Sequence, residues 1–176
     1  MLAVIRAEVS AVKPQRAGGG GAVTPAAQYA DLHRSLAGLL AGEDDLIANT
    51  ANFVALVYTS LSDLNWAGCY FLRGNELVLG PFQGHPACVR IAMGRGVCGT
   101  AALRRASVLV PDVHLFPGHI VCDPVSRSEL VVPLVKGDKL IGVFDLDSPL
   151  PGRFDAADQS GIETAVDLLM QFCRTP

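Results

Sequence analysis

Residues Glu129 to Asp147 read ELVVPLVKGDKLIGVFDLD, and this stretch decides the fold. Two apolar runs, Glu129 to Val135 and Leu140 to Asp147, meet at Gly137-Asp138, a pair suited to a hairpin turn. They are the clearest strands in the chain. In the second, alternation puts Asp145 and Asp147 on one face and Phe144 and Leu146 on the other. Acids flanked by apolar residues are unusual on a solvated strand face. Two carboxyls at close range resist double ionisation, so one is expected to keep its proton near neutral pH and act as an acid; the alternative is that both face water. Glu129 joins them only in one register. A tight two-residue turn places it opposite Leu146, on the wrong face, whereas a longer turn or a bulge places it opposite Asp147. If Glu129 belongs with the acids, the hairpin must carry one of these irregularities.

Working outward, the chain before the hairpin begins with a leader, Met1 to Val23, with four consecutive glycines, Gly18 to Gly21, near its end; its composition reads as flexible. From Pro25, a favoured first helical residue, Leu32, Leu36, Leu39 and Leu40 recur at helical spacing up to Gly42. Glu43, Asp44 and Asp45 suit a helix start, and Leu46, Thr50, Phe53, Val54, Val57 and Leu61 form the stripe of a second helix. Trp66 to Leu72 and Glu76 to Leu79 read as a hairpin, Cys88 to Ile91 as a third strand and Ser107 to Val110 as another, with a short helix-compatible piece within Gly96 to Ala106. Pro111 to Arg127 has no periodicity, which points to a binding or catalytic loop. After the hairpin, Asp155 is placed to cap a last helix striped by Ile162, Val166, Leu169, Met170 and Cys173. The order predicts an α+β domain over residues 24–176, with a central antiparallel sheet of about six strands and helices packed on one face.

Composition narrows the function. The chain has 176 residues, half of them apolar, enough for one sizeable core. A net charge of -3 without charge blocks offers no footprint for nucleic acid or an anionic membrane, and no apolar run is long enough to span a bilayer. A cytoplasmic location is expected. Five cysteines in a reducing compartment then suggest redox or metal chemistry rather than stable disulfides.

Cys69 and Cys173 fall among core positions and read as small buried hydrophobes. Cys88, Cys98 and Cys122 crowd the stretch from Gly80 to Asp123 with His85, His114 and His119. Cys122 follows Pro117-Gly118-His119, where an imidazole and backbone amides favour a nucleophilic thiolate; Cys98 precedes a helix whose N-terminus does the same. A mobile loop can bring two of these cysteines within disulfide reach, giving a nucleophile and a resolving partner. The competing reading is zinc: His85-Pro86-Ala87-Cys88 and His119-Ile120-Val121-Cys122 supply four ligands of the right type, without the Cys-x-x-Cys spacing. Trp66 and Tyr70 share one strand face and are either pocket walls or plain core. His114 and His119 are candidates to orient substrate or thiol, or structural groups.

The segments Asn65-Trp66-Ala67-Gly68, Gly80-Pro81-Phe82-Gln83-Gly84, Pro86-Ala87-Cys88-Val89-Arg90-Ile91, Gly96-Val97-Cys98-Gly99-Thr100 and Pro111-Asp112-Val113-His114 occur in order with Phe116-Pro117-Gly118-His119-Ile120, Cys122-Asp123, Ser128-Glu129 and Asp145-Leu146-Asp147-Ser148. Together they resemble the free methionine-(R)-sulfoxide reductases, small enzymes built on a GAF domain. The resemblance implies Cys122 as the nucleophile that becomes a sulfenic acid, and Cys88 or Cys98 as the resolving thiol. It also implies Glu129, Asp145 and Asp147 as the acids that hold free L-methionine-(R)-sulfoxide and supply protons, and Trp66 and Tyr70 as walls around its methyl end. No bound cofactor and no metal are implied; thioredoxin is the expected reductant and a homodimer the expected assembly. The sequence departs from the family in its leader, at Cys69, where an aromatic is more usual, and at Asp123-Pro124-Val125, which stiffens the loop after the nucleophile. A GAF domain that binds a small ligand without turnover, and a zinc-stabilised interaction domain, are the alternatives.

Overall fold

A computed structural model describes residues 24–174; the leader expected over residues 1–23 lies outside the described residues. In chain order the elements are α1 (Pro25–Leu40), α2 (Leu46–Ser60), β1 (Trp66–Arg73), β2 (Glu76–Gly84), β3 (Arg90–Ala92), α3 (Gly96–Arg104), β4 (Val108–Val110), a short 3-10 turn (Val113–Leu115), β5 (Ser128–Lys136), β6 (Lys139–Ser148) and α4 (Ala156–Phe172). The six strands form one sheet in the order β3-β2-β1-β6-β5-β4, with every neighbouring pair antiparallel.

The β5–β6 hairpin combines both possibilities considered for its turn. Lys136 pairs with Lys139 and Val135 with Leu140, so the turn is the tight Gly137-Asp138 pair; then Leu134 pairs with Gly142, leaving Ile141 as an extra residue in β6. Gly137 has φ +58°, the left-handed conformation such a turn needs. The bulge shifts the register by one residue and brings Glu129 opposite Asp147. A second bulge lets β2 run on past Leu79 to Gly84. Between the pairs Tyr70–Leu79 and Gly68–Phe82, two β2 residues, Gly80 and Pro81, oppose Cys69. Proline, with no N–H to give the ladder, is accommodated where the ladder is already broken.

The long helices α1, α2 and α4 cover one face of the sheet. Their leucine stripes meet Ala67, Cys69, Phe71, Leu130, Val132, Leu134, Phe144 and Leu146; Phe144 takes the edge of Phe53 at 4.8 Å between ring centres. Each large side chain fully buried there contributes about 1.5–3 kcal/mol. Asp45 accepts hydrogen bonds from the first turn of α2, and Asp155 and Asp158 form a reciprocal capping box on α4. The short α3 lies on the opposite face, because its buried stripe of Val97, Cys98, Ala101 and Ala102 packs with Trp66, Tyr70, Val131 and Val143. The helix layer is therefore three helices on one face, as expected, with a fourth roofing the other.

Candidate active site

The register of β1, β6 and β5 assembles the floor of a cleft on the α3 side. Trp66 lies opposite Asp147 and Gly68 opposite Asp145 across the β1–β6 ladder, and Glu129 lies opposite Asp147 across β5–β6. Directly opposed residues share a face, so three carboxyls and two aromatic rings point the same way. Trp66 stacks on Tyr70 at 5.9 Å and on Phe82 at 5.6 Å between ring centres, and its indole N–H donates to the His85 carbonyl at 3.1 Å. Gly68 makes this wall possible: a Cβ there would stand 2.4 Å from the Trp66 ring. The N-terminus of α3, with Cys98, and the loop 111–127, with His119, Ile120, Cys122 and Ser126, close the other sides around about 520 Å³ that is partly open to solvent.

Burial sets the electrostatics. Glu129 and Asp145 are each only 6% exposed. Burial pushes the Asp145 carboxyl up to about 7, against hydrogen bonds from Cys98 and Glu129 that favour its anion. Glu129 is pushed well up, first by burial and then by the charges of Asp145 and Asp147; Asp147 is raised by burial and by Asp145, with a hydrogen bond to Ser126 working the other way. Asp145 is thus the group that ionises first, and Glu129 the one that keeps its proton and donates it toward Asp145. The Cys98 thiol donates to Asp145 Oδ2 at 3.2 Å and lies 3.9 Å from Glu129 Oε1. Its helix N-terminal position led to an expectation of thiolate character; instead burial and the charges of Asp145 and Glu129 push this thiol up. Nearby carboxylates outweigh the partial charge of a short helix.

Around this core, His119 Nε2 stands 3.8 Å from Glu129 Oε2, and burial, then His114, lower its pKa, which keeps the imidazole neutral. His114 bonds Asp112 Oδ1 at 2.9 Å, while Arg127 donates to Asp112 Oδ2 at 3.0 Å, so this histidine serves the base of the loop rather than the cleft. Asn65 is the residue that motif reading quoted but gave no role: its Nδ2 donates to Asp123 at 3.0 Å and to Ser126 at 2.9 Å, tying the segment beyond Cys122 to the start of β1. Ser126 and Asp123 lie in the aperiodic loop, where position in sequence carried no signal beyond nearness to Cys122.

The cysteines separate cleanly. Cys88 and Cys122 are joined in a disulfide, with 5.5 Å between their Cα atoms. That bond takes both sulfurs out of the zinc set considered with His85 and His119, since a metal needs them as thiolates. Cys69 and Cys173 are fully buried on the helix face, and burial raises both thiols, as their core reading implied. Cys98 remains a free thiol at the floor of the cleft.

Comparison with known proteins places this arrangement. The model of the GAF domain matches residues 23–172. Free methionine-R-sulfoxide reductase of Escherichia coli is 51% identical over 147 residues, covering 84% of this chain and 89% of the relative. The protein of the same name from Saccharomyces cerevisiae is 42% identical over 147 residues, covering 79% and 82%. The X-ray structure of free methionine-R-sulfoxide reductase from Neisseria meningitidis, in complex with its substrate, superposes with a TM-score of 0.83 at 38% identity over 90% of this chain and 95% of that one. With GAF topology over nearly its whole described length and such identity to these proteins, the chain belongs to the free methionine-R-sulfoxide reductase family of GAF domains.

Proposed function

We propose that this protein reduces free L-methionine-(R)-sulfoxide to L-methionine, with Cys122 as nucleophile and Cys88 as resolving thiol. The observation that carries the reading is the Cys88–Cys122 bond at the side of a cleft floored by three carboxyls, of which Glu129 and Asp145 are buried. In the reduced protein the Cys122 thiolate attacks at the sulfoxide while Glu129, holding its proton, gives it to the sulfoxide oxygen, which passes to the Cys122 sulfur as the bond to the substrate sulfur breaks. The substrate sulfur gains two electrons and leaves as methionine; Cys122 becomes a sulfenic acid. Attack by the Cys88 thiol then forms the disulfide and releases the oxygen as water. Cys88 suits this step better than Cys98, whose thiol is held by Asp145 and pushed toward its protonated form.

Ionised Asp145 and its neighbour Asp147 suit an ammonium group, and the Trp66–Tyr70 wall suits the methyl end. A cleft bounded by α3 and the 111–127 loop suits a free amino acid better than a peptide chain. The working form in this proposal is a homodimer in the cytoplasm, recycled by thioredoxin. Family likeness supports those three points; among the described residues no helix is long and apolar enough to cross a membrane.

The test is methionine formation from free L-methionine-(R)-sulfoxide with thioredoxin and its reductase, beside the S epimer and a peptide-bound R sulfoxide. Turnover of the free R form alone is expected. Turnover of the peptide would overturn the enclosed cleft; inertness toward all three, with the thiols reduced, would leave a ligand-binding GAF module.

A further inference from the structure

The floor of the cleft carries a donor set built around Cys98, a thiol that the proposed reaction leaves unused. Cys98 Sγ, a Glu129 oxygen and an Asp145 oxygen all lie within 4.8 Å of one another. For a tetrahedral zinc-like ion with bonds of about 2.3 Å to sulfur and 2.0–2.2 Å to oxygen, the sulfur–oxygen edge is about 3.5 Å. The two edges here, 3.2 Å to Asp145 and 3.9 Å to Glu129, straddle that value. The shorter one is now spanned by the thiol proton, which a metal would replace.

A second observation points to a ligand. Asp145 Oδ1 is buried and has no hydrogen-bond partner, although the residue is 6% exposed and lines the cleft. An acceptor in that state calls for a donor or a cation. A divalent ion would also offset the mutual repulsion of the carboxyls crowded around it. His119 at the rim, 3.8 Å from the second oxygen of Glu129, is near enough to orient that carboxylate.

We propose that Cys98, Glu129 and Asp145 form a binding site for a borderline-soft divalent cation of the zinc class, and that occupation closes the cleft to an amino-acid ligand. Sulfur in the set selects against magnesium and calcium. Binding exchanges the Cys98 thiol proton, and any proton on the two carboxyls, for the metal, so protons are released to solvent and no electrons move. The site itself does not rest on the proposed reductase activity; only the competition with sulfoxide does.

The experiment uses the full chain in its disulfide form, in which Cys88 and Cys122 cannot ligate while Cys69 and Cys173 lie beneath the sheet. Cobalt(II) is titrated in as a spectroscopic substitute and then displaced with zinc. One equivalent per chain is expected, with a near-ultraviolet thiolate-to-cobalt band that survives Cys69→Ser and disappears in Cys98→Ser. Asp145→Asn should weaken binding by at least about tenfold. Circular dichroism establishes that the variants fold; should Cys98→Ser fail to, protection of Cys98 from alkylation by bound zinc replaces it. No thiolate band, a band that survives Cys98→Ser, or binding indifferent to Asp145→Asn would overturn the site. If cobalt behaves as expected but methionine sulfoxide does not displace it, the metal site stands and the assignment of the cleft to that substrate fails.

Discussion

The two faces of the sheet are built from the same strands, residue by alternate residue, and differ in almost every physical respect. Under the helices, Ala67, Cys69, Phe71, Phe144 and Leu146 belong to one apolar cluster. On the other side, their immediate sequence neighbours Trp66, Tyr70, Asp145 and Asp147 line a cleft. Cys69 and Cys98 make the contrast sharpest. Both are buried thiols pushed up by burial, but Cys69 sits at the apolar layer and Cys98 donates to a carboxylate that has another oxygen to spare. One face supplies the stability that allows the other to hold unfavourably buried acids.

Substitutions can separate the two contributions. The largest effect belongs to the cleft: Cys122→Ser should lower turnover by at least about a thousandfold, measured as methionine formed, while the denaturant midpoint of the reduced protein stays unchanged. On the helix face, Phe144→Ala removes a fully buried ring and should lower the unfolding free energy by about 3–5 kcal/mol in equilibrium denaturation. A comparable stability loss from Cys122→Ser in reduced protein would blur the division.

Asp145→Asn is expected to act oppositely on the two properties. It should reduce kcat/KM by about a hundredfold or more and raise stability above pH 7, because a buried anion is replaced by a neutral amide. The pH dependence follows from the same group. Its folded pKa of about 7 lies above its ordinary value of 3.8, so the folded state holds the proton more tightly. The associated stability is complete below about pH 4 and lost as pH rises through 7, a change of a few kcal/mol at most. Thermal melting across that interval should fall with rising pH in the native sequence and fall less steeply in Asp145→Asn, where Glu129 and Asp147, also raised, keep part of the slope. The smallest effect is at the far end of the helix layer, where Asp155→Ala opens the α4 capping box and should cost about 1 kcal/mol with turnover untouched.

Much of the helix face was legible because apolar spacing is a direct record of burial: the stripes of α1, α2 and α4 are buried where their periodicity indicates, except Leu39, which faces solvent while Tyr29 takes a core place on α1. The acids were legible for a subtler reason. Asp145 and Asp147 break the composition expected of a buried strand, and grouping Glu129 with them required a bulge, which Ile141 supplies. What resisted reading depends on contacts between distant segments. Cys88 and Cys98 are equally plausible partners of Cys122 by spacing, and only the path of the 111–127 loop decides between them. Cys98 at a helix N-terminus suggested a thiolate until the fold brought carboxylates from two other strands against it. Asn65 reaches across 58 residues of sequence to Asp123, and no local pattern encodes such a tie.

Gly68 gives the cleft a particular standing in the evolution of this domain. The space its missing side chain leaves is filled by the Trp66 ring, so the residue shapes the ligand wall without contributing an atom to it. Every amino acid that a missense change can put in place of glycine carries a Cβ. One mutation at that codon therefore displaces the indole and redraws the cavity while leaving each acid and cysteine in place. Drift in what such a domain accepts can begin at a position no inventory of polar groups would include.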